Sequence, residues 1–158
     1  MRLSPWVSVP LLMLLCQATV RTQPPASLPD RVRGAARVVV ATVTDVTAAW
    51  QTNELGDQLI VSNVRLDIEE TLKGGPARSL NMELIGGTVG DITLEVSSLP
   101  QLARGERAVF FLEAAPSGRL VPHRRGEGIL KLDPQNRVRG SSLDLGQIRD
   151  MAAAAGAR

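Results

Sequence analysis

Residues 60–68 read IVSNVRLDI, and the alternation within this stretch decides the fold class. Apolar Ile60, Val64 and Leu66 occupy even positions, and polar Asn63 stands between two of them. Successive side chains of a strand point to opposite faces, so this pattern predicts a β-strand with one buried face.

The same period of two residues recurs on both sides of this stretch. It predicts strands at residues 80–84 (LNMEL), 92–97 (ITLEVS) and 36–50 (ARVVVATVTDVTAAW). The last of these is rich in β-branched residues, which favour strands. A turn at Asn53–Asp57 (NELGD) joins it to the strand at 60–68, so we expect one long hairpin.

The C-terminal half adds more strands and one helix. Arg107–Glu113 (RAVFFLE) is apolar on both faces, which predicts a central strand, and turns at 115–118 (APSG) and 133–136 (DPQN) separate further extended segments. From Ser141 to Gly156 the period becomes helical, with Ser141 as the predicted cap and Asp144 in the first turn. The predicted helical face comprises Leu145, Ile148, Met151 and Ala152. We expect a mainly β fold, a small antiparallel OB-like β-barrel with a short C-terminal α-helix.

The N-terminal residues predict export. A charged start precedes an apolar run at 7–16 (VSVPLLMLLC), which is shorter than the roughly 20 residues that span a bilayer. We expect a signal peptide at 1–18 and a periplasmic or extracellular protein with no stable membrane span after its removal. The alternative is a lipoprotein anchored at Cys16, which is disfavoured because Leu15 is not the small residue that a bacterial lipobox requires.

The expected domain order follows from these patterns. Residues 19–33 include TQPPASLP and predict a flexible Pro-rich linker, 34–140 the β-barrel domain, and 141–158 the C-terminal helix and tail. The one cysteine, Cys16, lies within the predicted signal peptide, so the mature domain must be stabilised by its core rather than by disulfides.

The charges are unevenly distributed. The net charge is +2, but residues 41–100 carry three basic and nine acidic side chains, and residues 101–140 carry eight basic and four acidic ones. Two interpretations stay open: the halves neutralise each other as neighbours, or a polar surface steers a charged partner. We expect no nucleic-acid partner, because Trp50, Phe110 and Phe111 are the only aromatic residues outside the predicted signal peptide and stacking platforms are therefore scarce.

The glycine-rich stretch at 84–91 (LIGGTVGD) invites comparison with phosphate-binding loops. It lacks the lysine of a P-loop, and the following DITLEV is a strand pattern rather than a helix whose N-terminus could bind an anion. We therefore expect a wide turn or bulge, in which Gly86 and Gly87 supply positive φ or a close backbone approach.

Few residues are candidates for a catalytic or metal-binding role. His123, the single histidine, lies in VPHRRGEG without a nucleophile motif, and zinc needs about four ligands. Calcium remains an alternative only if acidic residues such as Asp45, Asp67 and Asp91 converge, since no DxDxDG loop occurs. We expect no enzyme, no metal and no cofactor.

Several segments together resemble a known group of proteins. They are RGAARVVVATVTDVTA (33–48), VRLDIEETLKG (64–74), IGGTVGD (85–91), ARGERAVFFLE (103–113) and GEGILKLD (126–133), and they resemble small exported bacterial proteins. The strand end at 68–74 is similar to that of netrin-like domains, the OB-type barrels that include the tissue inhibitors of metalloproteinases. The resemblance implies a netrin-like barrel over residues 34–133. The inhibitors' zinc-chelating, disulfide-held N-terminal cysteine has no counterpart here, so their mechanism does not transfer.

The sequence therefore predicts an exported, non-catalytic binding or accessory module, monomeric, whose partner is another exported protein. The predicted partner-binding residues lie in three loops, 50–57, 86–91 and 122–127: Trp50, Gly86, Gly87, His123, Arg124 and Arg125. Trp50 has two interpretations, core or rim packing and exposed anchor. The alternative functions are an inhibitor or modulator of a secreted protease, and a small hydrolase that would use His123.

Overall fold

A computed structural model describes residues 27–53 and 55–156. The strands are β1 (Arg37–Thr52), β2 (Gln58–Lys73), β3 (Ser79–Ile85), β4 (Gly87–Val89), β5 (Ile92–Leu94), β6 (Arg107–Ala114), β7 (Leu120–Pro122) and β8 (Ile129–Lys131). The helices are α1 (Leu28–Gly34), α2 (Leu145–Gly156) and a single 3₁₀ turn at Arg125–Gly128. The predicted signal peptide at 1–18 and Cys16 lie outside the described residues.

Five strands close into a ring in the order β1-β2-β3-β7-β6, because β6 also pairs with β1. All pairings in the ring are antiparallel except one, a short parallel contact between Met82 of β3 and Leu120 of β7. β8 pairs with β6, and β4 and β5 form a separate two-stranded hairpin. The prediction of a small, mainly antiparallel β-barrel with a C-terminal helix is confirmed.

The first half of β1 and the whole central part of β6 are buried on both faces. Val39 and Phe110 are register partners in the cluster inside the ring, and Val38 and Phe111 are register partners in the cluster outside it. The outer cluster is covered by α1 and α2, which explains why RAVFFLE (107–113) is apolar at successive positions.

The prediction of a flexible linker through residue 33 is wrong for residues 28–33, which form most of α1. Ser27 caps this helix by accepting a hydrogen bond from the Asp30 backbone N–H, and a proline occupies its first turn. Val32 is fully buried against the outer cluster. The proline content that suggested a linker is therefore the signature of a helix start.

The C-terminal helix is confirmed, but its predicted cap is wrong. Asp144 rather than Ser141 caps α2, since the Gln147 N–H donates to Asp144 Oδ1 (2.9 Å) and the Asp144 N–H donates to Gln147 Oε1 (3.0 Å). Ser141 Oγ instead accepts from the Leu143 N–H. Leu145, Ile148 and Ala152 are buried as predicted, and Met151 is partly exposed.

Two predicted extended segments are shorter than expected. The strand predicted at 92–97 ends at Leu94, and the carbonyl of Val96 accepts from the Leu99 N–H in a turn. The segment after the DPQN turn contributes only the isolated bridges at Val138 and Arg137. None of the described helices is long and apolar enough to cross a membrane.

Candidate functional site

The turn between β1 and β2 is held by one side chain. Asn53 Oδ1 accepts from the Leu55 N–H (2.9 Å) and the Asp57 N–H (2.8 Å), while the Asn53 N–H donates to the Asp57 carbonyl (2.9 Å). An asparagine that replaces backbone partners in this way stabilises a tight turn. The turn presents the Leu55 side chain, which is 87% exposed.

Four large apolar side chains of the described residues are exposed, and two of them, Trp50 and Leu55, belong to this hairpin. Trp50 (45% exposed) is the β1 residue paired with Ile60, Ile85 (45%) ends β3, and Ile92 (56%) lies in β5. We call Trp50, Leu55, Ile85 and Ile92 the apolar end of the barrel. Trp50 shares a sheet face with its partner Ile60, and Ile85 shares the opposite face with its partner Val61, so the candidate interaction surface is centred on Leu55 and Trp50 of the hairpin.

Gly86 and Gly87 carry the β4–β5 hairpin onto the barrel. Their φ angles are +110° and +132°, and the Gly86 N–H donates to the Ile60 carbonyl (2.8 Å). A Cβ on Gly87 would collide with Ser62 Oγ and Ala48 Cβ. The predicted positive φ and close approach are confirmed, but the stretch is not a wide turn. It begins β4, and the reversal is the two-residue turn at 90–91.

A cleft of about 520 Å³ lies between this hairpin, the following segment 95–102 and the inner faces of β1, β2 and β3. Such a volume lies within the roughly 300–1,000 Å³ range of ligand pockets. The apolar residues that line it include Val46, Ala48, Val64, Leu84, Leu99 and Leu102. Two of the predicted binding residues, Gly86 and Gly87, line this cleft, but the sequence did not predict the cleft itself.

The polar groups of the cleft are bonded to one another. Ser62 Oγ donates to the Gly86 carbonyl (2.7 Å), Thr88 and Thr93 share a hydrogen bond (2.9 Å), and the Gln101 amide donates to Glu95 (2.6 Å). Across the described part of the chain, every buried side-chain polar atom has a partner. The cleft therefore combines apolar side chains with polar groups that are already hydrogen-bonded to one another.

The basic loop at 122–127 lies apart from the apolar end. The His123 N–H donates to the carbonyl of Phe111, and Phe111 pairs with Val38, twelve residues before Trp50 in β1. Arg124 and Arg125 have φ angles of +55° and +59°. The structure brings Trp50, Gly86 and Gly87 together but places His123, Arg124 and Arg125 near the other end of β1, so the three predicted loops do not form one surface.

This loop is packed against α1. His123 is 15% exposed in its side chain, its Nδ1 bonds Glu113 (2.7 Å), and its Nε2 lies against Gly34, where a Cβ would collide with it. Arg124 bonds Glu127 (3.3 Å). A carboxylate on one ring nitrogen resembles half of a catalytic triad, but the Nε2 side, where a nucleophile would stand, is occupied by the Gly34 backbone.

The charges divide into paired and unpaired groups. Acidic residues of β2 and β3 pair with arginines from the basic half, as in Arg107–Glu69 (2.7 Å) and Arg119–Glu83. These pairs support the interpretation that the two halves are neighbours. Within the described ranges, no ion pair involves the acidic residues around the apolar end and the cleft: Asp45, Asp57, Asp91 and Glu95.

The described residues contain no group of three His, Cys, Asp or Glu side chains placed to hold a metal ion. Leu55, Ile85 and Ile92 were missed as candidate site residues. Leu55 had a readable signal, since it is the one apolar side chain within the NELGD turn. Ile85 had a signal too, since it follows Asn81 and Glu83 on the polar face of its strand pattern, whereas Ile92 had none, because it alternates with Leu94 and Val96 as a buried residue would.

Comparison with known proteins adds no relative: no protein-family model matches the chain, and a search of curated proteins finds no match. Function therefore rests on the geometry described above.

Proposed function

We propose that the chain is an exported, non-catalytic binding module whose apolar end docks another exported protein. The observation that carries this proposal is Leu55, which is 87% exposed on a turn held by Asn53. An exposed leucine on an ordered turn loses little conformational freedom when it enters a partner's pocket. Trp50 lies in the adjoining strand and adds the kind of aromatic anchor that dominates many interfaces.

Export is part of the same proposal. Its support is the apolar run at 7–16 and the short, polar stretch that follows it. A partner in the periplasm or the medium would meet the module after cleavage of the predicted signal peptide.

The proposal is tested by capture with matched variants. The full chain with a C-terminal affinity tag is expressed in its native host, and retained proteins are identified by mass spectrometry. We expect the wild type to retain one partner. The amount of this partner that is captured should fall at least about tenfold with Leu55→Ser and with Trp50→Ser.

The control is the double variant Arg124→Ala/Arg125→Ala, which changes the basic loop at the other end of β1. We expect it to retain the partner at the wild-type level. If the control variant fails to capture the partner and Leu55→Ser still captures it, the docking surface proposed here is wrong.

A second candidate function is inhibition or modulation of a secreted protease. The observation that favours it is the same exposed turn, since a projecting loop with one exposed apolar side chain has the shape that enters a protease cleft. The netrin-like resemblance supports this candidate only by analogy of fold. We expect an equimolar amount of the wild-type chain to reduce the activity of one exported protease. The Leu55→Ser variant should leave this activity unchanged. Full activity across a panel of exported metalloproteases and serine proteases removes this candidate.

A further inference from the structure

The second half of β1 is an exposed strand edge. β1 pairs with β6 only from Arg37 to Thr42, and Val43 exchanges backbone hydrogen bonds with Gly105 and Glu106. Beyond Val43, β2 is the one described strand that pairs with β1. Unpaired edges are sites where another chain adds a strand.

The hydrogen-bond alternation shows which groups face the open side. Asn53 donates to Asp57 across the hairpin, and in an antiparallel pair bonded and non-bonded positions alternate from there. The N–H and C=O groups of Val46, Ala48 and Trp50 therefore point away from β2. Gly86 donates to the carbonyl of Ile60, the partner of Trp50, which agrees with this assignment.

The open edge borders the cleft. Val46 and Ala48 line the cleft with their side chains and turn their backbone groups to the unpaired side. The segment 95–106 passes the same stretch without a described backbone bond to residues 44–52. Directly opposite residues of paired strands place their side chains on the same face, so alternate side chains of an added strand would enter the cleft.

On its cleft side the edge has acidic neighbours, since Glu95 lines the cleft and none of the described residues that line it is basic, whereas Asp45 lies opposite Arg65 of β2. Asp45 begins it, and Asp91 and Glu95 lie on the hairpin and segment that border the cleft; within the described residues none of them has an ion pair. The edge itself, residues 45–52 (DVTAAWQT), carries no basic residue and no proline, which are the usual protection of an exposed edge.

We propose that the partner docks by adding an extended segment to the β1 edge at residues 45–51, with apolar side chains in the cleft and basic side chains beside Asp91 and Glu95 at its border. This inference rests on the proposed function and deepens it, because it names the partner's recognition element as a strand with alternating apolar and basic residues.

The test uses a synthetic probe. A capped heptapeptide of alternating lysine and valine is titrated into the full chain, beside a matched peptide of alternating glutamate and valine. We expect saturable binding of the lysine peptide and at least about tenfold weaker binding of the glutamate peptide. Absence of saturation, or equal affinity for both peptides, overturns the inference.

Amide hydrogen exchange locates the bound peptide without any variant. We expect the lysine peptide to slow exchange at Val46, Ala48 and Trp50, whose N–H groups face the open side. Thr47 and Ala49 donate to β2 and serve as internal references with little change. Slowed exchange confined to residues outside 45–52 overturns the inference.

Two variants at one position complete the test. Ala48→Pro removes an N–H that faces the open side, and Ala48→Ser keeps it. We expect Ala48→Pro to weaken peptide binding by about tenfold or more and Ala48→Ser to bind as the wild type does. Undiminished binding by a folded Ala48→Pro contradicts the inference, and the exchange data decide if this variant does not fold.

The native partner separates failure of this inference from failure of the proposed function. If Leu55→Ser loses the captured partner and Ala48→Pro keeps it, the apolar end stands as the docking surface and the strand addition falls. If Ala48→Pro loses the captured partner and Leu55→Ser keeps it, the strand addition stands and the apolar end falls as the docking surface; if both variants keep the partner, both fall.

Discussion

Lys73 and Lys131 are the two lysines of a chain that has sixteen arginines. The Lys73 ammonium donates to the carbonyls of Val32 (2.8 Å), Arg33 (2.9 Å) and Ala35 (2.7 Å) and so caps the end of α1. Lys131 donates to the Gln101 carbonyl and to both oxygens of Glu106. Both sites use a compact group with three donors, which a planar guanidinium does not reproduce.

The cap on α1 predicts a loss of stability in Lys73→Met. The variant leaves three helix-end carbonyls without their donor, so we expect the free energy of unfolding to fall by about 1.5–3 kcal/mol. Urea denaturation measures this change. Lys73→Arg is expected to restore part of it only, and Arg78→Met, an exposed position, is the control with little effect.

Glu106 predicts how stability depends on pH. Burial raises the pKa of this carboxyl, but the hydrogen bonds from Lys131 and the Ala103 N–H, with the charges of Lys131 and Arg139, together hold the pKa below its ordinary value of 4.5. A carboxyl whose pKa is lowered by folding contributes stability that is fully present above its pKa in the unfolded chain. This stability is lost as the pH falls through the lower pKa of the folded state. Glu106→Gln should therefore be less stable than the wild type at pH 7 and lose less stability from about pH 5 to pH 3.

Chemical unfolding at several pH values measures this dependence, and Lys131→Met is the complementary variant because it removes the main donor to Glu106. Equal acid sensitivity of wild type and Glu106→Gln would contradict the role given to this carboxyl.

Gly87 predicts a steric effect that a neighbouring glycine does not share. Gly87→Ala forces a Cβ into Ser62 and Ala48 at a positive φ, whereas Gly90 has a φ of +59° and open space around it. In Gly90→Ala the free energy of unfolding should fall by only about 1–2 kcal/mol, which is the cost of a left-handed backbone for a residue with a Cβ. Gly87→Ala should lose more and should free the β4–β5 hairpin, seen as faster amide exchange at Leu94. Equal losses in the two variants would show that the close packing contributes nothing.

At the scale of elements, the capping pair of α2 gives a direct comparison. Asp144→Ala removes the acceptor for the Gln147 N–H and should lower stability by about 0.5–2 kcal/mol, while Ser141→Ala should change it little. Thermal unfolding of the two variants measures the difference. A larger loss in Ser141→Ala would restore the cap predicted from the sequence.

The two helices also show how far sequence patterns reach. α2 was predictable because its twelve residues repeat apolar side chains at helical spacing, as in Leu145, Ile148 and Ala152. α1 has seven residues and one buried apolar side chain within it, Val32, so no period develops. Its start does carry a short signal, Ser27 followed three residues later by Asp30, which the prolines between residues 22 and 29 concealed.

At the scale of the whole molecule, strand patterns predicted a barrel but not which strands pair to close it. The alternation in IVSNVRLDI identifies a buried face without naming the neighbouring strand, so the pairings of β1 with β6 and of β3 with β7 could not be predicted. For the same reason the sequence did not predict the cleft. It also did not show that Trp50 and His123 lie near opposite ends of β1, so that the predicted loops do not form one surface.

The barrel therefore has two dissimilar ends. One carries the exposed apolar side chains Trp50, Leu55, Ile85 and Ile92, and the other holds His123 and Arg124 in contacts with Glu113 and Glu127. Exposed aromatic side chains such as Trp50 often carry much of the binding energy of an interface. The difference between the ends is the basis for placing the partner on the apolar end.

The most direct measurement is site-specific photocrosslinking of the full chain in its native host. A photoreactive residue is introduced as Leu55→p-benzoylphenylalanine and, as the matched control, Arg125→p-benzoylphenylalanine. The account predicts one crosslinked partner from position 55 and none from position 125. A partner crosslinked from position 125 alone would contradict it.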